Sequence, residues 1–215
     1  TIRLACGLLR ADTGTLRVGM HPGLRFAMMS GWRPFLDQHP DLKIETLITN
    51  TAAAVVDEGL DLVLHVGPLS DSSLIARPLG TTRAIVCASP AYLADRGEPR
   101  HPSELAGHAA VIYARRDEAS NTRWTFRKGR QTIDVDVPVR VVLRDGVGLV
   151  DAASSGCGVA RPLEIAARHL VEAGLTNVVV VSSARSWTSS RTASPRRVKG
   201  ASNISAVVSA CGRST

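Results

Sequence analysis

VVDEGLDLVLHVGPLSDSSLIARPLGTTRAIVCASPAYL, residues 55–93, is the stretch that decides the fold. Val55-Val56-Asp57-Glu58 reads as the end of a helix, closed at Gly59, the residue type that most readily takes the left-handed helix-ending conformation. Asp61 leads into Leu62-Val63-Leu64-His65-Val66, a near-continuous apolar run. Such a run belongs to a strand buried on both faces, as in a parallel α/β sheet. Gly67-Pro68 breaks it, and Asp71-Ser72-Ser73 makes a polar turn. Leu74-Ile75-Ala76 and Ala84-Ile85-Val86-Cys87-Ala88 read as two more strands, after which Ser89-Pro90 caps a new helix with proline at its first position.

Upstream, Thr15–Met20 is a first strand and His21-Pro22-Gly23 a turn. Leu24, Met28, Trp32, Phe35 and Leu36 then form the stripe of an amphipathic helix. His39-Pro40-Asp41 stops it, and Leu42, Ile44, Leu47 and Ile48 mark a second strand. Thr49-Asn50-Thr51 turns into a helix over Ala52–Glu58. This βαβαβ order predicts a parallel sheet with right-handed crossovers. The loops Met20–Gly23, Thr49–Thr51 and Val66–Pro68, at strand C-terminal ends, should therefore crowd one crevice. Downstream, a helix over Pro90–Asp95 and the turn Gly97–Pro102 precede strands at Ala109–Tyr113, Arg123–Arg127, Thr132–Asp136 and Val139–Leu143. Arg144-Asp145-Gly146 opens a helix to about Ser155, Cys157–Ala160 is a strand, and Pro162–Leu170 a helix.

From about Gly14 to about Gly174 the chain resembles the effector-binding domain of LysR-type transcriptional regulators. The resemblance rests on separated blocks in the family's order: Leu16-Arg17-Val18, the stretch quoted above, His101-Pro102-Ser103-Glu104-Leu105, Trp124-Thr125-Phe126, and Gly156-Cys157-Gly158-Val159-Ala160. It implies an α/β, two-lobed, periplasmic-binding-protein-like (type 2) fold with mixed sheets and a small-molecule cleft between the lobes. On this reading residues 1–14 are the end of a linker helix, 15–88 lobe I and 89–175 lobe II, with a hinge at Ala88, Ser89 and Pro90. It carries ligand contacts to Met20, His21 and Pro22; Thr49, Asn50 and Thr51; His65, Val66, Gly67 and Pro68; and Arg144, Asp145 and Gly146. Family members often place Ser or Thr in the first turn, where this chain has Met20-His21-Pro22, so the class of effector stays open. In the family, the winged helix-turn-helix that reads DNA precedes the linker helix. The sequence starts a short way before the first strand, so DNA contact is expected only through such a reader outside it. Ligand-driven rearrangement of the lobes, passed on through a homodimer or tetramer, is the implied mechanism, with the Leu24–Leu36 helix as candidate contact between copies.

Residues 176–215 change character. From Ser182 onward there are ten serines, no acidic residue and no leucine, although Val178–Val181 reads as a strand returning to the first lobe. A disordered tail is the simplest expectation and an altered reading frame or truncated gene the sharper one. The formal charge of +7 has the same source. Six of 26 basic residues lie beyond Val181, leaving 20 against 19 acidic ones, so the body is close to neutral. The basic balance is thus poor evidence for a nucleic-acid surface. No apolar run is long enough for a membrane span, and the apolar patch Leu4–Leu9 is too short for a secretory signal. A cytoplasmic protein with reduced cysteines is expected, which argues against an exported solute receptor of the same fold.

The residues at the crevice suit an anion. Helices starting near Pro22-Gly23 and Thr51-Ala52 would aim backbone N–H groups at it, His21, Asn50 and Thr51 could add hydrogen bonds, and Arg144 an ionic contact. Nothing comparable supports catalysis, a metal or a cofactor. Cys6, Cys87, Cys157 and Cys211 contain no close pair. Cys157, with His108 or His169 as conceivable base, enters a strand after a helix, the reverse of a nucleophile elbow, so a small buried thiol is expected. Gly146-Val147-Gly148 lacks the third glycine of a dinucleotide fingerprint. Asp134 and Asp136, near Arg127, Lys128 and Arg130, read as a solvated edge, and Trp124 and Phe126 as plugs of the second lobe's core.

Overall fold

In a computed structural model, residues 14–49, 51–69, 74–114, 122–128, 130–144, 146, 148–179 and 202–209 are described. The chain divides into two units: residues 1–82 with 202–215, and residues 83–201.

The first unit is built on the parallel trio that the apolar pattern predicts. β1 (Gly14–Met20) lies between β2 (Leu42–Ile48) and β3 (Leu62–Val66), with Val18 opposite Leu62 and Met20 opposite both Ile48 and Leu64. A short 3-10 turn, Pro22–Leu24, precedes α1 (Arg25–Leu36), which begins one residue later than the stripe suggested; α2 (Ala54–Asp57) is a single turn. Leu16, Val18, Met20, Leu62, Val63 and Leu64 are all buried, as both faces of a central parallel strand require. Gly19 is where the chain needs no side chain, since a Cβ there would come within 2.7 Å of Leu60 and 2.8 Å of Val63.

β4 (Leu74–Thr82) runs on to Thr82, far past the Leu74–Ala76 strand expected. The tail supplies the largest correction. Ser202–Ser209 forms a strand, β12, that inserts antiparallel between β3 and β4, giving the order β2-β1-β3-β12-β4. Val207 is 1 % exposed and packs with Ala54, Val55, Leu60 and Val63. The segment escaped sequence reading because its buried face is not uniformly apolar: Ser205 is buried two residues before Val207. Residues 1–13, 180–201 and 210–215, which include the expected linker helix, lie outside the described residues.

In the second unit β5 (Val86–Ala88), β6 (Ala110–Tyr113), β9 (Val139–Leu143), β10 (Val159–Ala160) and β11 (Asn177–Val179) make a sheet in the order β11-β5-β10-β6-β9. β7 (Arg123–Lys128) and β8 (Gln131–Asp136) form an antiparallel hairpin. The helices are α3 (Pro90–Arg96), α4 (Gly148–Ser154) and α5 (Glu164–Glu172). Trp124 and Phe126 plug a core with Leu105, Ala110, Ile112 and Val159; on the sheet's other face Leu149 and Ala153 of α4 meet Cys87, Val111 and Ala160.

Two boundary expectations are corrected here. The strand expected to return to the first lobe at 178–181 instead pairs, as Asn177–Val179, with β5 inside the second unit. The passage between units falls at Thr82–Arg83, and the expected hinge Ala88-Ser89-Pro90 lies within the second. Ala88 is fully buried in β5, while Ser89 caps α3, its hydroxyl accepting from the Tyr92 N–H at 3.2 Å. Among the described residues no helix is long and apolar enough to cross a membrane.

Candidate ligand-binding site

Because β1, β2 and β3 run parallel, the turns that follow them emerge at one end of the first unit's sheet. They are stitched together by backbone hydrogen bonds. The His21 N–H donates to the Leu64 carbonyl at 3.0 Å, and the Thr49 N–H donates to the Met20 carbonyl at 3.0 Å. His21, Thr49 and His65, spread over forty-five positions of sequence, thereby become neighbours.

His21 caps the 3-10 turn. Its Nδ1 accepts from the Gly23 N–H at 3.0 Å, which requires the neutral ring with its proton on Nε2. Burial, and then the adjacent His65, pulls the His21 pKa down to about 4. Burial also lowers that of His65, whose Nδ1 is buried and without a hydrogen-bond partner among the described residues. A buried nitrogen of this kind wants a ligand atom or a water. Gly67, at φ 119°, brings the chain past the His65 ring, where a Cβ would stand 3.7 Å from Cε1.

Not every expected contact has a side chain to offer. Met20 is fully buried and Pro22 buried, so both serve as framework. The backbone N–H groups expected to greet an anion are partly taken by their own caps. Gly23 N–H goes to His21, Thr51 N–H to the Thr49 hydroxyl at 3.3 Å, and Ala53 N–H to the Thr51 hydroxyl at 3.2 Å. Val66 is half-buried and Pro68 exposed. Asn50 and Asp145 lie outside the described residues. Arg144 and Gly146 belong to the second unit, beyond the end of β9; Arg144 is exposed and its Nη1 donates to the Ala114 carbonyl at 3.4 Å.

Among the described residues no group of three or more His, Cys, Asp or Glu could hold a metal ion. Cys157, in the turn between Gly156 and Gly158, is exposed, against the expectation of a buried thiol; among the described residues the buried thiol is Cys87, whose pKa burial pushes up to about 12. His108 is occupied by the Tyr92 hydroxyl at 3.3 Å. Asp134 meets Arg123 at 3.4 Å on the hairpin surface. Sequence reading passed over Arg161, which directly follows the Gly156–Ala160 block and sits beside Trp124.

Comparison with known proteins follows the same line. The family profile described as the LysR substrate binding domain matches residues 10–212. An uncharacterized HTH-type transcriptional regulator of Haemophilus influenzae is 33% identical over 126 residues, 59% of this chain and 43% of that protein. An HTH-type transcriptional regulator of Xanthomonas campestris pv. campestris is 31% identical over 191 residues, 83% of this chain and 56% of that protein. The chain thus spans about half the length of the curated relatives it matches. Among solved structures, the regulatory domain of CrgA from Neisseria meningitidis superposes with a TM-score of 0.74 at 21% identity, covering 92% of this chain and 90% of that one. Full-length AphB of Vibrio cholerae gives 0.69 at 25% identity, covering 93% and 63%. The chain belongs to the LysR substrate-binding domain family and has its two-lobed, periplasmic-binding-protein-like α/β fold.

Proposed function

We propose that this chain is the effector-sensing domain of a LysR-type transcriptional regulator, binding a small anionic ligand between its two lobes. On this reading His21, Thr49, Thr51, His65, Val66, Gly67 and Pro68 serve the ligand from the first lobe, and Arg144 and Gly146 from the second. Sensing, with no bond made or broken, is the outcome. The ligand shifts transcription by preferring one arrangement of the lobes, and it can shift it only by that difference in affinity. DNA is read by a winged helix-turn-helix of the whole regulator, as the names of the curated relatives suggest.

The observation that carries this reading is the convergence of His21, Thr49 and His65 at one sheet end, with the His65 Nδ1 buried and unpartnered among the described residues. A binding screen by thermal melting tests it. A ligand should raise the transition of the parent chain, and His65→Leu, which fills the same space without the nitrogen, should weaken that response about tenfold or more in concentration. A response identical in parent and variant would remove His65 from the site.

The proposed assembly is a homodimer, or a tetramer made of dimers, through α1 and the edge strand β2. Only Met28 of α1 is fully buried, Met29 is 43 % exposed, and Leu47 and Ile48 of β2 are 38 % and 45 % exposed. Exposed apolar residues on a helix and on an open sheet edge are surface that a second copy would cover.

A further inference from the structure

We propose that Arg161 is the carboxylate-binding residue of the second unit, so that the effector is an organic acid. This rests on the ligand-sensing reading above. Three observations carry it.

The first is position. β10 runs parallel to β6, with Ala160 opposite Val111, and β6 runs parallel to β9. Arg161 directly follows β10, so it stands at the C-terminal end of these strands, the end that Arg144 occupies on β9. In parallel α/β sheets this is the end where ligands bind. It is also where the chain enters the second unit: Ala84 bridges to Leu163, the Ile85 N–H donates to the Pro162 carbonyl at 3.0 Å, and the Glu164 N–H donates to the Arg83 carbonyl at 2.7 Å. The half-buried Arg83–Glu164 ion pair, at 2.8 Å, fixes this segment and with it the origin of the Arg161 side chain.

The second is the surroundings of the guanidinium. Its central carbon lies 5.2 Å from the ring centroid of Trp124, which is itself buried in the second unit's core. The ring holds the cation in place but accepts none of its five N–H donors in the directional way an oxygen does.

The third is charge. Between described residues the ion pairs are Arg17–Glu45, Lys43–Glu45, Arg83–Glu164, Arg96–Asp95 and Arg123–Asp134, and Arg161 is in none of them. Burial lowers its pKa from the ordinary arginine value, yet arginine remains a cation at neutral pH. A half-buried cation without an anion is costly, and a carboxylate meeting two parallel N–H groups of the fork is the partner that best relieves it.

Isothermal titration of the full chain with acetate, benzoate, succinate and citrate tests the assignment, with benzamide as uncharged control and inorganic phosphate as the rival oxyanion. At least one carboxylate should bind, its affinity should fall about tenfold or more in Arg161→Met and less in Arg161→Lys, and the amide should show no such dependence. A cooperative melt confirms that each variant is folded; should Arg161→Met fail to fold, Arg161→Lys carries the comparison. Equal carboxylate binding by parent and variants, no carboxylate binding by the parent, or a preference for phosphate would overturn the assignment. A neutral compound that binds parent and Arg161→Met alike would overturn it too, while leaving the ligand-sensing reading intact.

Discussion

At the scale of single residues, His21 links protonation to backbone structure. Its Nδ1 accepts from Gly23, so the doubly protonated ring loses the cap, and the His21 pKa of about 4 lies below the ordinary 6.5. The unfolded chain therefore takes up this proton first as the pH falls. The stabilisation is complete above about pH 6.5 and is lost as the pH drops towards 4. His65 and His108 are shifted in the same direction. The unfolding temperature should fall across that window, and His21→Asn, which keeps a cap acceptor but does not titrate, should make the fall shallower. A slope unchanged in the variant would show that another group sets it. Gly158 gives a second residue-scale prediction. At φ 146° a Cβ would overlap the Ala109 carbonyl, next to the hydrogen bond from the Val159 N–H to that same oxygen at 2.8 Å. Gly158→Ala should cost about 2 kcal/mol or more in denaturant unfolding, as overpacking against backbone does; a cost below about 0.5 kcal/mol, the level of a neutral surface change, would contradict this.

At the scale of elements, β12 matters more than its composition suggests. Val207 fills the space between α2 and β3, and Val207→Ala should destabilise the first unit by about 1–3 kcal/mol, measured by chemical denaturation. Stopping the chain before Ser202 would leave β3 and β4 without their shared partner, and the first unit should then lose its cooperative transition. A truncated chain that melts as sharply as the parent would mean that β12 is dispensable. The parallel trio β1–β3 and its turns were legible because β3 is a near-continuous apolar run, β1 and β2 repeat apolar residues at short spacing, and each is followed within two residues by Gly, Pro or Asn. β12 was not, because an eight-residue strand with serine at three positions carries its signal in partners more than a hundred residues away in the sequence. The same physics hid the unit boundary. Leu79-Gly80-Thr81-Thr82 has no apolar period, yet β4 continues through it because β12 supplies the hydrogen bonds. Of the candidate site, the residue types at the turns could be read directly. Their caps could not, since Gly23, Thr51 and Ala53 find acceptors only once the turns are folded.

At the scale of the whole molecule, two proposals meet: copies pairing through α1 and β2, and one small acid engaging both lobes. The first predicts that Met29→Lys with Ile48→Lys shifts the sedimentation of the chain to that of a monomer without lowering its unfolding temperature. An assembly indifferent to these charges would place the contact elsewhere. The second is the central claim. The most direct measurement is a double-mutant cycle by calorimetric titration of one ligand against the parent, His65→Leu, Arg144→Gln and the double variant. The account predicts that each single change weakens that ligand about tenfold, one from either lobe. A ligand that either variant binds as tightly as the parent would contradict it.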